Sequence, residues 1–268
     1  MRTVVCTLIA LCTACGGTSE PEPWTLVWED AFDGPAGTAP DASRWTYDVG
    51  GDGWGNDQLE FNTDRTNNVD LDGNGFLRIT AREEAFQDNA YTSGRIKTQG
   101  LFATTYGRIE ARIRLPDGQG IWPAFWMLGS DISEVSWPAC GEIDILELRG
   151  QQPNRVLGTV HGPGYAGGNS IGGEIVLDEP VTNEFHTYAI EWDPDHITWF
   201  FDDQLVHTVN PGDVPGTWVF DHDFFLILNV AVGGNFLGDP DDTTVFPAVM
   251  GVDYVRVYQR TTPLVATE

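Results

Sequence analysis

Cysteine is scarce in this chain and poorly placed for a structural role. Four occur among 268 residues, and Cys6, Cys12 and Cys15 crowd into the first stretch. Cys140 alone is left in the body, so neither a disulfide framework nor a zinc site can be built there. A lone thiol of this kind reads as a small buried residue, or as one lining a site if the strand carrying Glu142 already runs through it. Positive charge is equally short. Lys and Arg number 14 against 40 Asp and Glu, a formal charge of -26. That field repels nucleic acid and anionic membrane surfaces, and it argues against sulfated or uronic-acid polysaccharides. The one apolar run near the start is too short to span a bilayer. No segment sustains a helical period, which argues against helical architectures.

What the chain has instead is alternation, turns and tryptophan. Residues 107–115 place Ile109, Ala111, Ile113 and Leu115 on one face of a strand. Residues 187–192, 197–201 and 205–209 read as three strands, with Asp193-Pro194-Asp195 and Asp202-Asp203 as the turns. Residues 224–232 and 251–259 add two more. Many strands punctuated by Gly, Asp, Asn and Pro predict an all-β domain, a sandwich or barrel. There are 10 Trp, which suit both a core and the apolar faces of sugar rings.

The first residues have one positive charge and then a short apolar run, the pattern of a secretory signal over 1–14. Its end, Leu11-Cys12-Thr13-Ala14-Cys15, is similar to a lipoprotein signal, with Cys15 lipidated as the mature N-terminus; cleavage after Ala14 with free secretion is the alternative. Residues 15–23 read as a tether, 24–260 as one domain, and 261–268 as a short tail.

The segment Gly141-Glu142-Ile143-Asp144-Ile145-Leu146-Glu147-Leu148 carries three acids in a run that otherwise wants burial. Alternation puts Glu142 and Asp144 on one face and Glu147 on the other. A β-bulge at Ile145 and Leu146 would return Glu147 to the first face. Strand curvature and two long side chains would then bring the glutamates to about 5–5.5 Å, the separation of a retaining glycosidase. Asp144, between them, would hold a proton or hydrogen bond against one glutamate and keep their pKa values apart. The same residues also fit an exposed edge strand with solvated acids, or half of a calcium site.

Several segments in this order resemble glycoside hydrolase family 16, in its laminarinase (endo-1,3-β-glucanase) branch. They are Gly53-Trp54-Gly55-Asn56, residues 92–100 (TSGRIKTQG), residues 120–128 (GIWPAFWML), the bulged Glu142 to Glu147 motif, and residues 253–258 (DYVRVY). The resemblance implies an antiparallel β-jelly-roll sandwich, concanavalin A-like, with a concave cleft. It implies a retaining double displacement with Glu142 as nucleophile, Glu147 as acid/base and Asp144 as the assisting carboxylate. Trp122 and Trp126, four apart on one strand face, would form a sugar-stacking floor or serve the core. Arg95 and Asn56, with Glu60 as a further candidate, would bond sugar hydroxyls, though Arg95 suits a structural ion pair equally. His161 would line the cleft or serve the structure. Asn229 and Asn235 would reach the cleft from a loop. Phe236 stands where many relatives have Trp, which bears on one stacking subsite. No cofactor is implied for catalysis. A structural calcium is implied, held by Asp253 and the backbone carbonyls of Ala31 and Gly75.

The expected partner is a neutral β-glucan, met by a monomer outside the cytoplasm and touching a membrane only through its lipid. Competing expectations are a non-catalytic β-glucan-binding protein, a transglycosylase, or the same chemistry on mixed-linkage glucan, galactan or agar.

Overall fold

The computed structural model describes residues 23–182 and 184–260; the leader, Cys15, most of the tether and the tail lie outside the described residues. Two antiparallel-dominated sheets pack face to face. With strands numbered in chain order, the larger sheet has ten: β1 (Trp24–Asp30), β3 (Glu60–Asn62), β4 (Val69–Leu71), β5 (Leu77–Phe86), β6 (Asn89–Ser93), β8 (Gly107–Arg114), β13 (His186–Asp193), β14 (His196–Phe201), β15 (Gln204–Val209) and β17 (Ala248–Arg260). The smaller has seven: β2 (Thr46–Tyr47), β7 (Arg95–Lys97), β9 (Ile121–Gly129), β10 (Glu142–Leu148), β11 (Arg155–His161), β12 (Ile171–Val176) and β16 (Phe224–Val232). Among the described residues, helix is confined to one turn at Ile132–Val135 and two 3-10 turns. The turn between β14 and β15 puts Asp202 and Asp203 at φ 46° and 60°, a left-handed conformation that Asp tolerates in tight hairpins.

Alternation decides which residues fill the space between the sheets. Ile109, Ala111 and Ile113 of β8 point there, as do Ile190 and Trp192 of β13 and Val252, Val255 and Val257 of β17. The seven-stranded sheet answers with Ile121, Phe125 and Met127 of β9, Leu226, Leu228, Val230 and Val232 of β16, and Val156 and Val160 of β11. Such side chains each contribute about 1.5–3 kcal/mol on burial.

The other face of the seven-stranded sheet is not uniformly polar. It carries two small apolar clusters. One holds Leu128, Cys140, Phe225 and Ile227 with Trp126 against it. The second holds Trp122, Ala231 and Leu237 with Phe236 against it. Cys140 is fully buried in the first, before the strand begins, because Gly141 at φ 75° turns the chain between them. It is therefore a packing residue and does not share the strand face of Glu142.

Glu60 also departs from the sequence expectation of a sugar ligand. It is completely buried on β3. Its carboxylate accepts the Val232 N–H at 2.8 Å and the Asn62 amide at 3.2 Å. Burial pushes its pKa up to about 7, against the opposing pull of these donors. It ties β3 to the end of β16 and has no surface to offer a ligand.

Candidate active site

Strand β10 runs between β9 and β11, and both ladders slip at the same place. Against β11 the register shifts between Asp144 and Glu147; against β9 it shifts between Asp144 and Leu146. Ile145 and Leu146, consecutive in the chain, both enter the main core. The extra residue returns Glu147 to the face of Glu142 and Asp144, between the two apolar clusters.

Each acid on that face has its own donor. The Trp137 indole donates to Glu142 Oε2 at 2.8 Å. The Thr159 hydroxyl donates to Asp144 Oδ2 at 2.5 Å. The Trp122 indole donates to Glu147 Oε1 at 3.1 Å. His161 Nε2 lies 3.0 Å from Asp144 Oδ2 and 3.7 Å from Glu142 Oε1. Asp144 is thus held by β11, through Thr159 and His161, and not by a hydrogen bond to either glutamate.

Burial raises the pKa of both glutamates, and the charge of Asp144 raises them further. The compensations differ. His161, the Trp137 N–H and Arg95 favour ionised Glu142. Glu147 has His161 and the Trp122 N–H, but also feels Glu142 as a second negative neighbour. Both carboxyls therefore hold their protons to higher pH than a free glutamate does. For His161 burial lowers the pKa, but Asp144, Glu142 and Glu147 outweigh it and push it up to about 9. The Gly167 N–H opposes this, because it points at Nδ1 from 3.0 Å and needs a lone pair there. In either charge state the Nε2 proton faces Asp144.

Two aromatic arms flank the acids. On one, Arg95 is ion-paired to Asp48 at 2.9 Å and lies 4.8 Å from the rings of both Trp54 and Trp126. The Trp126 indole donates to Asn229 Oδ1 at 2.7 Å. Asn229 is therefore a buried residue of the central strand β16 that aims Trp126, not a loop residue reaching in. On the other arm Phe236 sits 4.7 Å from Trp122, and the Arg149 guanidinium lies 4.1 Å from Phe236. Trp122 and Trp126 share the outward face. Asn56 is half-buried in the loop ahead of β3, its carbonyl bonded to the Asn235 N–H at 2.8 Å. Asn235 itself is exposed and donates to Asp57 at 2.9 Å. The structure thus brings together Glu142, Asp144, Glu147, His161 and Trp122, with Arg95, Trp126 and Asn229 on one arm.

Trp137, Thr159 and Trp54 were not foreseen as site residues. Thr159 was within reach, since it is two before His161 on the same strand. Trp137 comes from an irregular loop with no period to read.

The family 16 glycosyl hydrolase model matches residues 53–244 of the chain. The chain belongs to this family. It is 45% identical over 248 residues to the β-glucanase of Rhodothermus marinus, covering 88% of this chain and 85% of that protein. It is 37% identical over 272 residues to a glucan endo-1,3-β-glucosidase of Cryptopygus antarcticus, covering 93% and 95%. The laminarinase catalytic domain of Thermotoga maritima superposes with a TM-score of 0.85 at 47% identity, over 90% of this chain and all of that one. The two-sheet architecture of this family 16 hydrolase is accordingly the jelly roll of the solved laminarinases.

Among the described residues, one three-residue cluster of His and carboxylates has metal-ligand spacing: Glu142, Asp144 and His161. Hydrogen bonding already accounts for it. The corner that would hold calcium is elsewhere. Ala31 follows Asp30, which pairs with Val255; Gly75 precedes Leu77, which pairs with Val252; Asp253 lies between those partners. A Cβ built on Gly75 would sit 3.9 Å from the Ala31 carbonyl and 3.8 Å from Asp33 Oδ1. These hard oxygens fit a calcium ion in type. One Asp253 oxygen is already held by Arg112 at 2.6 Å.

His161→Gln keeps an N–H for Asp144 but cannot carry charge. A cationic His161 lowers the pKa of both glutamates, so its removal raises both. The acid and alkaline limbs of the pH–rate profile are expected to move together to higher pH, with a lower peak rate. Limbs that stay in place would show that His161 works as a neutral donor.

Proposed function

We propose that this family 16 hydrolase is an endo-1,3-β-glucanase that cleaves laminarin-like β-glucans with retention of configuration. The observation that carries this reading is the register slip that puts Glu142, Asp144 and Glu147 on one face between two tryptophan-bearing arms. The names of the relatives above support the substrate class.

In this reading Glu142 attacks the anomeric carbon while Glu147 passes its proton to the departing glycosidic oxygen. The electrostatics then reverse. Esterified Glu142 no longer carries the charge that raised the pKa of Glu147. Glu147 becomes easier to ionise at the moment it must take a proton from water. Asp144, fixed by Thr159 and His161, stays a constant negative neighbour through both steps. Trp122 and Trp126 supply ring faces for the apolar sides of the sugars.

Calcium would bind at Ala31, Gly75 and Asp253, where a divalent charge stabilises the meeting of β1, β5 and β17. The leader and Cys15 support export and a lipid anchor in the cell envelope.

Reducing-sugar release is expected from laminarin and preferentially over barley mixed-linkage glucan. Glu147→Gln is expected to lose about 10²–10⁴-fold in rate. Glu142→Gln should still bind laminarin but not cleave it. No release from either glucan would sink the β-glucanase assignment in favour of another glycan or a binding protein. Added Ca²⁺ should raise the melting temperature and EDTA lower it, with the response abolished in Asp253→Ala; an unresponsive wild type has no calcium site. In cell fractionation, Cys15→Ser should move the protein out of the membrane fraction, and a variant still bound there would rule the anchor out.

A further inference from the structure

The bulge in β10 leaves a polar problem. Both ladders slip immediately after Asp144, a buried residue whose backbone carbonyl takes a donor from outside its own sheet. The donor comes from the opposite sheet. Trp199 of β14, nearly fully buried, reaches across the core and its indole N–H donates to the Asp144 carbonyl at 2.8 Å. No other indole in the described residues bonds the backbone of β10.

The seat of this indole is built from several elements. His207 of β15 pairs with Trp199 in register and stacks on it at 4.4 Å and 11°. The β14–β15 ladder has its own slip immediately after Trp199. Beneath the stack, Gly158 of β11 and Gly173 of β12 are direct cross-strand partners. A Cβ on Gly158 would lie 2.2 Å from Trp199 Cδ1, and one on Gly173 2.9 Å from His207 Cγ. Each glycine clears one ring. Gly158 neighbours Thr159, the residue that pairs with Asp144 and bonds its side chain. Asp144 is therefore clamped at both ends, its carboxylate by β11 and its carbonyl by Trp199.

We propose that Trp199, seated on His207 in the Gly158–Gly173 notch, is a positioning residue that fixes the β10 bulge and so aims Glu147. It touches no substrate. Its effect on rate passes through the register of two residues on β10. The proposal rests on the hydrolase reading above for its kinetic test and on the bulge alone for its structural one.

The experiment compares the wild type, Trp199→Phe, Gly158→Ala and Trp192→Phe on laminarin. The control loses a bond of the same kind, since the buried Trp192 indole donates to the Phe220 carbonyl at 3.1 Å. Trp199→Phe keeps the ring and removes the N–H. Its kcat is expected to fall about 10–100-fold, the scale of a misplacement near 1 Å, with KM retained. Its alkaline limb should move to lower pH, because Glu147 leaves the crowded position that raises its pKa. Gly158→Ala displaces the indole without deleting it, and should show the same signature if Trp199→Phe does not fold. Trp192→Phe is expected to melt lower with kcat retained. A Trp199→Phe protein that melts lower but keeps kcat and pH profile, as the control does, overturns the proposal. A wild type inactive on laminarin would strike the substrate reading instead. In that event a crystal structure of Trp199→Phe decides: a shifted Asp144–Glu147 register supports the strut, and an unchanged bulge with Glu147 still bonded to Trp122 refutes it.

Discussion

One extra residue in one strand governs this molecule. A regular strand from Glu142 to Leu148 would send Glu142 and Glu147 to opposite faces, and one carboxylate would enter the core. The slip resolves two demands together. Ile143, Leu146 and Leu148 keep their places in the main core, with Ile145 added, while the three acids stay on the outward face. Neither demand alone requires a bulge. Their coexistence in seven residues does, and it makes the strand intolerant of a register change, since one step would exchange every acid for an aliphatic residue.

The acids that the bulge gathers repel one another, and the surroundings are arranged around that repulsion. Three carboxylates face one imidazole, with Arg95 behind them. The full complement of positive charge is thus short by design of composition, as it is over the whole chain. A site with enough cations to neutralise every carboxylate would hold no proton to donate. A site with none would hold protons on both glutamates. The single histidine, bonded to Asp144 and near Glu142, favours the ionised form of both glutamates, and Arg95 adds to it at Glu142. Donors of the same kind, Trp137 and Trp122, sit on both glutamates, so the asymmetry comes from the charges and not from the indoles.

Individual strands, the bulge and the three acids could be read from the sequence, because periodicity and its interruption are local; the order of strands in the sheets could not. The alternation of residues 107–115 and the apolar run at 224–232 correspond to β8 and β16. Asn229 and Glu60 were misplaced for the opposite reason. Both are polar residues whose chain neighbourhood says nothing about their partners, Trp126 and the Val232 amide, which come from distant segments. Trp137, Trp54 and Trp199 stayed invisible as site or positioning residues for the same cause. A tryptophan in a sequence announces burial, but where its single N–H points is fixed only when sheets meet. Arg95 was legible as an alternative, and the structure gives the ion pair with Asp48 together with aromatic contact.

The two arms beside the acids are built differently, and the difference bears on how a glucan would lie. The Trp126 arm is locked from below by Asn229 and from the side by Arg95, whose own charge is spent on Asp48. The Trp122 arm is a column of Arg149, Phe236 and Trp122 that ends in the bond to Glu147. Phe at position 236 offers a smaller ring than Trp and no N–H, so at that position the column contributes packing and a seat for the Arg149 cation but no indole donor. Trp122 has a double duty: its ring is part of an apolar cluster and its N–H holds Glu147. Any sugar that presses on that ring acts at the same time on the Glu147 carboxyl. Binding on the Trp126 side lacks that direct link, because its indole ends on an uncharged amide.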